Sequence, residues 1–414
     1  MDRSWFPIVS VLLIVFAFVV GRVTAGAGGE RDYRDYYAKA AAAYQEAVNL
    51  DSPPADASDP ERWNRVLALY RVVFDGYPDS PYADDALYAI ASRIDVQTDA
   101  DTAFILYRKL LQRYPDSEYA PQALNAIGVA HFQREDYDRA VVVFDEFLQR
   151  FPTHPLREKV LLNRAVCQIE RDEYNDALQT LERFTEEFPM SEDIPASVFY
   201  VGVIHYKKQE FEEARKQFRN LVDLGDPEWA PAALFNIGQT YFDERRYDEA
   251  IETYRQVIQQ FPEDKFAEEA AFRIGWALER QRKYAEAVEA LREAIEKYPH
   301  SPNTPAAQIF MAQIYNQGLN DVENAVAAYR PIADGTMDVS PLVTDQISEY
   351  DIRRDAQYQI GRIYEEHGMI EQAIAEYEKL LKNFPEPHSN PAHRSNEIDE
   401  AKILDLRARL SSGS

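Results

Sequence analysis

A chain of 414 residues is longer than one hydrophobic core usually serves, so it divides into domains or repeats a smaller unit. Its make-up, 46% hydrophobic and 28% charged with only 15 glycines, is that of a folded chain, and its wealth of Ala, Glu, Leu, Gln and Arg favours helix. A net charge of −26 repels phosphate backbones, which argues against nucleic acid as a partner, and the single cysteine, Cys167, excludes a disulfide framework and a cysteine zinc site.

The first element is an address. The apolar run from Trp5 to Val20, with Leu12, Leu13 and Phe16 inside it, follows Arg3 and ends at Gly21-Arg22. It exceeds most signal-peptide cores yet falls short of the roughly 20 residues of a spanning helix. Val23-Thr24-Ala25 and Ala25-Gly26-Ala27 both offer small residues for a signal peptidase. Residues 1–25 are therefore a signal peptide or an N-terminal membrane anchor. Either carries the rest across a membrane, which predicts the periplasm or another extracytoplasmic face. Residues 26–60 read as a Gly-rich spacer, a lone charged helix over about 31–50, and a Pro-rich linker.

From residue 61 a repeat takes over. Aromatic-proline pairs stand at Tyr77-Pro78, Tyr114-Pro115, Phe151-Pro152, Phe188-Pro189, Phe261-Pro262 and Tyr298-Pro299, with Pro227 filling the gap without its aromatic. The proline intervals are 37, 37, 37, 38, 35 and 37 residues. Within each unit two amphipathic patterns succeed one another, such as Leu234, Ile237 and Tyr241, then Tyr247, Ala250 and Tyr254. The short turn Glu244-Arg245-Arg246 between them makes the helices antiparallel. Each proline ends a second helix, and Ser-Pro at 80–81 and 301–302 is expected to cap the next.

These residues carry a resemblance. Leu234, Ile237, Gly238, Tyr241, Ala250, Tyr254 and Pro262 resemble the tetratricopeptide pattern, and Gly128, Ala140, Phe144 and Pro152 repeat its spacing. Gly202, Ala214 and Phe218 do so again, as do Gly275, Ala287, Leu291 and Pro299, then Gly361, Ala373, Tyr377 and Pro385. A small residue on the first helix and an alanine on the second let two backbones approach closely. The period of 37 and the linkers YPDSPYADDAL and YPDSEYAPQAL resemble bacterial envelope proteins of the Tol-Pal-associated cell-division coordinator and outer-membrane assembly lipoprotein type. The resemblance implies an all-α solenoid over residues 61–387, a right-handed superhelix of eight antiparallel hairpins. It also implies a scaffold or adaptor for protein–protein contacts in envelope assembly or coordination. A membrane-anchored accessory subunit of a larger complex is the alternative.

The spacing of 86 from Pro299 to Pro385 exceeds two repeats by 12 residues. One extra residue is expected in the turn over 316–321 and the rest in an insertion near 333–345. Residues 388–414 read as a loop, a capping helix and a disordered tail.

No phosphate loop, HExxH, GxSxG or paired-cysteine motif occurs, so no catalytic, cofactor or metal residues are expected and the protein is not read as an enzyme. His131 and His205 stand where other repeats carry Tyr241 and Tyr315, as packing residues; His388 and His393 lie in a Pro- and Asn-rich loop.

One feature points to binding. Beside the core stripe of each first helix runs a second, read as triplets at offsets of zero, four and seven. They are Asn125, Val129, Phe132; Leu162, Val166, Ile169; Phe199, Val203, Tyr206; Phe235, Gln239, Phe242; and Phe272, Trp276, Glu279. The stripe then fades to Ile309, Gln313, Asn316 and to Tyr358, Arg362, Glu365. Either it is buried between neighbouring first helices, or it lines a concave groove for a partner peptide or helix. The groove reading selects Phe132, Ile169, Phe199, Tyr206, Phe235, Phe242, Phe272 and Trp276, with acidic neighbours favouring a basic partner.

Overall fold

The computed structural model describes residues 33–52, 59–97, 100–344, 347–386 and 400–412. The apolar run Trp5–Val20 and the loop with His388 and His393 lie outside these residues. Among the described residues no helix is long and apolar enough to cross a membrane. They form two compact units, divided after Asp172.

The first unit holds α1 (Tyr33–Leu50), α2 (Pro60–Gly76), α3 (Ala83–Gln97), α4 (Ala100–Arg113), α5 (Ala120–Gln133), α6 (Tyr137–Arg150) and α7 (Arg157–Glu170). Helix α1, expected from the sequence to stand alone, packs on α2 as the first arm of a hairpin. Its buried residues are alanines, Ala40 and Ala47, too small to mark a periodic apolar face. Asp51, at its end, is buried and accepts from Tyr70 Oη at 3.3 Å and from Arg93 Nη2 at 2.9 Å, which ties α1 to α2 and α3.

The second unit holds α8 (Tyr174–Glu187), α9 (Ile194–Lys207), α10 (Phe211–Leu224), α11 (Ala230–Asp243), α12 (Tyr247–Gln260), α13 (Lys265–Arg280), α14 (Tyr284–Lys297), α15 (Thr304–Gln313), α16 (Val322–Ala333), α17 (Glu349–Glu366), α18 (Ile370–Asn383) and α19 (Glu400–Ser412). From α9 to α18 these helices pack in consecutive pairs. Helix α19 lays Ile403 and Leu406 on the cluster that holds Ile374, Tyr377 and Leu380 of α18.

The glycine-to-aromatic spacing places its residues face to face. A β-carbon on Gly238 would sit 2.6 Å from Tyr254 Cε1, and one on Gly202 2.6 Å from Phe218 Cε1, so a larger residue at either position would force the hairpin apart. Gly128 under Phe144 and Gly361 under Tyr377 repeat the arrangement.

The first helices end alike. Arg245 is left-handed at φ 62°, and its N–H donates to Phe242 O at 2.9 Å while that of Arg246 donates to Tyr241 O at 2.9 Å. This double closure is a Schellman motif, and it satisfies carbonyls that the helix end leaves open. Glu135, Asp172, Gln209, Arg282, Asn320 and Gly368 occupy the same left-handed position after their helices. Second helices such as α12 and α14 stop at an aromatic cap, Phe261 and Tyr298, directly before the proline, whereas α10 ends at the left-handed Gly225 and α16 at Asp334. The Ser-Pro pairs do not cap the first helices after them. Helix α3 begins at Ala83 and α15 at Thr304, and Ser301 sits in the intervening turn, its Oγ accepting from Asn303 N at 3.1 Å.

The extra residue before α16 is absorbed by a π-helical turn, Ile314–Gly318, which continues α15. The insertion after α16 is docked: Val339 is buried, Met337, Leu342 and Ile347 pack on the same core, and Ser340–Leu342 forms one 3₁₀ turn. Ser348 and Asp351 then cap α17 reciprocally.

Candidate functional site

The stripe divides by position. The first member of several triplets is engaged by an aromatic residue that enters from the next linker. Phe199 meets Trp229 with ring centroids 5.1 Å apart, and Phe235 meets Phe266 at 5.3 Å. In the first unit Tyr88 stacks on Tyr119 at 4.3 Å and Tyr44 on Tyr82 at 5.2 Å. Each partner ring lies immediately before a first helix or a residue from it, so the pair joins one hairpin to the next. Sequence reasoning missed Tyr82, Tyr119, Trp229 and Phe266, although all four stand at one register of the linker.

Phe235 is 6% exposed and Phe272 1%, so both belong to the core. Ile169, at 2%, is equally closed. For these three the groove assignment is corrected: their side chains are closed to a partner by burial, Phe235 and Phe272 within the main core cluster of the second unit. Phe199 is half-buried between Trp229 and Phe218.

The third members behave differently. Phe132, Tyr206 and Phe242 are half-buried, each edged against the first residues of its own second helix: Tyr137 at 5.6 Å, Phe211 at 6.0 Å and Tyr247 at 5.4 Å. Tyr206 also donates its hydroxyl to Asp243 Oδ2 at 2.5 Å; burial and that bond push the phenol up to about 12. None of the three is closed off as Phe235 and Phe272 are.

Trp276, a middle member, is unlike the valines, the two glutamines and the arginine that hold its place in other repeats. Arg273 lies over its ring at 4.8 Å, and Phe310 of α15 meets it edge-on at 6.2 Å. Phe242, Arg273, Trp276, Glu279, Arg280 and Phe310 line a hollow of about 250 Å³. Helices α11, α13 and α15 thus converge three rings on one place, and Phe310 is a site residue the stripe did not include.

A second hollow of about 160 Å³ opens beside α15 and α17, lined by Gln313, Asn316, Gln317, Tyr329, Gln359, Arg362 and Ile363. The π-turn supplies Asn316 and Gln317. Asn316 Nδ2 donates to Glu366 Oε2 at 3.3 Å, and Arg362 Nε stands 2.9 Å from Glu366 Oε1. This hollow is polar where the first is aromatic.

His131 packs edge-on against Phe104 at 5.1 Å, and burial lowers its pKa. Burial pushes the Cys167 thiol up to about 12, as for a core residue. Asp85, beside Tyr44, is pushed to about 7 by burial and by Asp84 and Glu118. Among the described residues no group of His, Cys, Asp and Glu could hold a metal ion.

The chain resembles known proteins in sequence and fold. The family model of the outer membrane lipoprotein YfiO matches residues 126–280. The tetratricopeptide repeat model matches residues 85–117, 269–301 and 355–387. No curated protein matches the sequence. Among solved structures, the C-terminal part of a tetratricopeptide repeat-containing protein from Cytophaga hutchinsonii is 18% identical with a TM-score of 0.47, over 66% of this chain and 98% of that one. A tetratricopeptide repeat protein from Parabacteroides merdae is 14% identical at a TM-score of 0.41, over 69% and 96%. MamA from Desulfovibrio magneticus is 20% identical at 0.38, over 44% and 97%.

Proposed function

Because the chain is built of tetratricopeptide repeats, we propose that it is a non-catalytic scaffold that holds a segment of another protein in the groove of its first helices. The observation that carries this reading is the aromatic hollow. Phe242, Trp276 and Phe310 converge without being consumed by the packing that closes Phe235 and Phe272. A hollow of that size accepts one large apolar side chain, and burial of such an anchor dominates the energy of small interfaces.

The scaffold works at the extracytoplasmic side of a membrane, in the assembly or coordination of the cell envelope. Two observations support this location: the apolar run Trp5–Val20, and the likeness of residues 126–280 to an outer membrane lipoprotein family. Residues 1–25 direct or anchor the chain there.

The test combines capture and topology. The full chain, tagged at its C-terminus and expressed in its own host, is cross-linked and its partners identified. The Phe242→Ala/Trp276→Ala/Phe310→Ala variant, with its helix content checked by circular dichroism, should lose at least one partner that the wild type captures. A folded triple variant with an unchanged partner set refutes the groove. Alkaline phosphatase fused after residue 60 should be active, and an inactive fusion refutes the location.

A further inference from the structure

The left-handed residue that closes a first helix is least costly as glycine or asparagine. Gly368 and Asn320 obey that preference, whereas Arg245 and Arg282, in consecutive repeats, do not; each has φ 62°. Both stand directly beside the aromatic hollow. The Arg245 N–H donates to Phe242 O at 2.9 Å and the Arg282 N–H to Glu279 O at 2.7 Å, and Phe242 and Glu279 line the hollow. Both side chains are exposed, and neither meets a carboxylate among the described residues. Arg280, which also lines the hollow, is 64% exposed and stands 3.7 Å from Glu279.

Apart from Glu279, which lines the hollow and meets Arg280, the carboxylates of the same edge are engaged from within. Asp243 accepts the Tyr206 hydroxyl, and Glu244 is held at 2.6 Å by the buried Arg215. Glu249 pairs with Arg246 at 2.8 Å, and Asp248 accepts from Gln281 at 2.9 Å with Lys283 at 3.6 Å. Among the described residues, Arg245 and Arg282 therefore carry guanidinium groups without a carboxylate partner on the turns that follow Phe242 and Glu279, and Arg280, on the lining itself, is shared with Glu279. Residues 173–414 carry 45 Asp and Glu against 26 Lys and Arg, so this edge runs against the charge of its own unit. At physiological salt a charge is felt over about 8 Å, so the rim, not the net charge, sets what the hollow attracts.

We propose that the hollow and the guanidinium groups of Arg245, Arg280 and Arg282 form one surface for an acidic partner segment, one that places an aromatic or large aliphatic side chain beside Asp or Glu. The side chain fills the space between Phe242, Trp276 and Phe310. The carboxylates take the open forks of Arg245 and Arg282, a geometry that matches two parallel N–H donors to two oxygens, and Arg280 adds charge beside them. This rests on the reading that the hollow binds a partner. It reverses the basic partner that the net charge alone implies.

The test is selection of displayed random 16-residue peptides on the full chain, with counter-selection on Trp276→Ala. Enriched peptides should carry Asp or Glu within two positions of an aromatic or leucine. By fluorescence anisotropy they should bind about tenfold more weakly to Arg245→Gln/Arg282→Gln and weaken further with added salt. Replacing their acids with lysine should abolish binding to the wild type and restore some on Arg245→Glu/Arg282→Glu. Enrichment that depends on Trp276 but shows Lys or Arg, or no charge bias, overturns the acidic-partner inference and leaves the groove standing. Absence of any Trp276-dependent enrichment overturns both.

Discussion

The two hollows lie one helical turn apart on α15, where Phe310 faces one and Gln313 the other, yet they are built by different means. From α11 to α14 the repeat is regular. Its hairpins are joined by ring pairs such as Phe235 with Phe266, and the rings left over form the hollow. From α15 to α18 an extra residue turns the helix end into a π-turn, and an ionic cluster joins α16 to α18 beside ring pairs such as Tyr358 with Tyr377. The Glu376 carboxylate, 8% exposed, accepts from Arg330 Nη1 at 2.9 Å, Gln357 Nε2 at 2.8 Å and Lys379 Nζ at 2.8 Å. Ring packing can spare a ring for a partner at little cost to the fold. A buried carboxylate surrounded by its donors has nothing to spare.

The largest effect separates two phenylalanines of α11. Phe235→Ala empties a core site shared with Tyr254 and Phe266 and should cost about 3–4 kcal/mol in denaturant melts. Phe242→Ala, seven residues on and half-buried, should cost less than about 1 kcal/mol while removing partner capture. Equal losses of stability would mean that both rings are structural and that the aromatic hollow is only a packing gap.

In the α15–α18 region the same scale of effect comes from charge. Burial pushes the pKa of Glu376 up, but the hydrogen bonds from Arg330, Lys379 and Gln357 outweigh it and hold the group at about 2. A depressed pKa contributes stability that is present above the unfolded value near 4.3 and is lost as pH falls through about 2. Glu376→Gln should therefore cost roughly 2–3 kcal/mol at pH 7, because it leaves Arg330 beside an uncharged amide. The variant should also lose less stability than the wild type between pH 5 and pH 2. Parallel acid limbs in urea melts would show that Glu376 is not what holds α16 to α18.

Much of this was legible in the residues. Proline, glycine and alanine recur at fixed distances because each has a local steric task, so Gly238 opposite Tyr254 could be read without a structure. Counting alone placed the extra residue at 316–321, overlapping the π-turn Ile314–Gly318 that absorbs it. What could not be read is which ring of the stripe stays open. That depends on Tyr82, Tyr119, Trp229 and Phe266, which lie just before a first helix or in its first turn and reach back to the preceding hairpin. Nor does periodicity reveal Phe310, which falls outside the triplet Ile309, Gln313, Asn316 and becomes a site residue only because α15 sets it against Trp276.

The smallest effect tests whether the two hollows are one site. In the π-turn the Leu319 N–H reaches Ile314 O at 3.0 Å, five residues back, so deleting Gln317 restores an α-helical register at the end of α15. Gly318 would shift against Tyr284, to which a β-carbon there would come within 2.7 Å, so the change should stay within about 1 kcal/mol in either direction. Phe310 precedes the turn and keeps its place opposite Trp276. The deletion should therefore remodel the polar hollow, visible as altered amide exchange over 313–321 and 359–363, while the peptides selected on the wild type bind within about twofold of their original affinity. If their affinity instead falls tenfold or more on a chain of unchanged stability, the polar lining contributes to partner binding, and the regular and irregular repeats act as a single continuous groove.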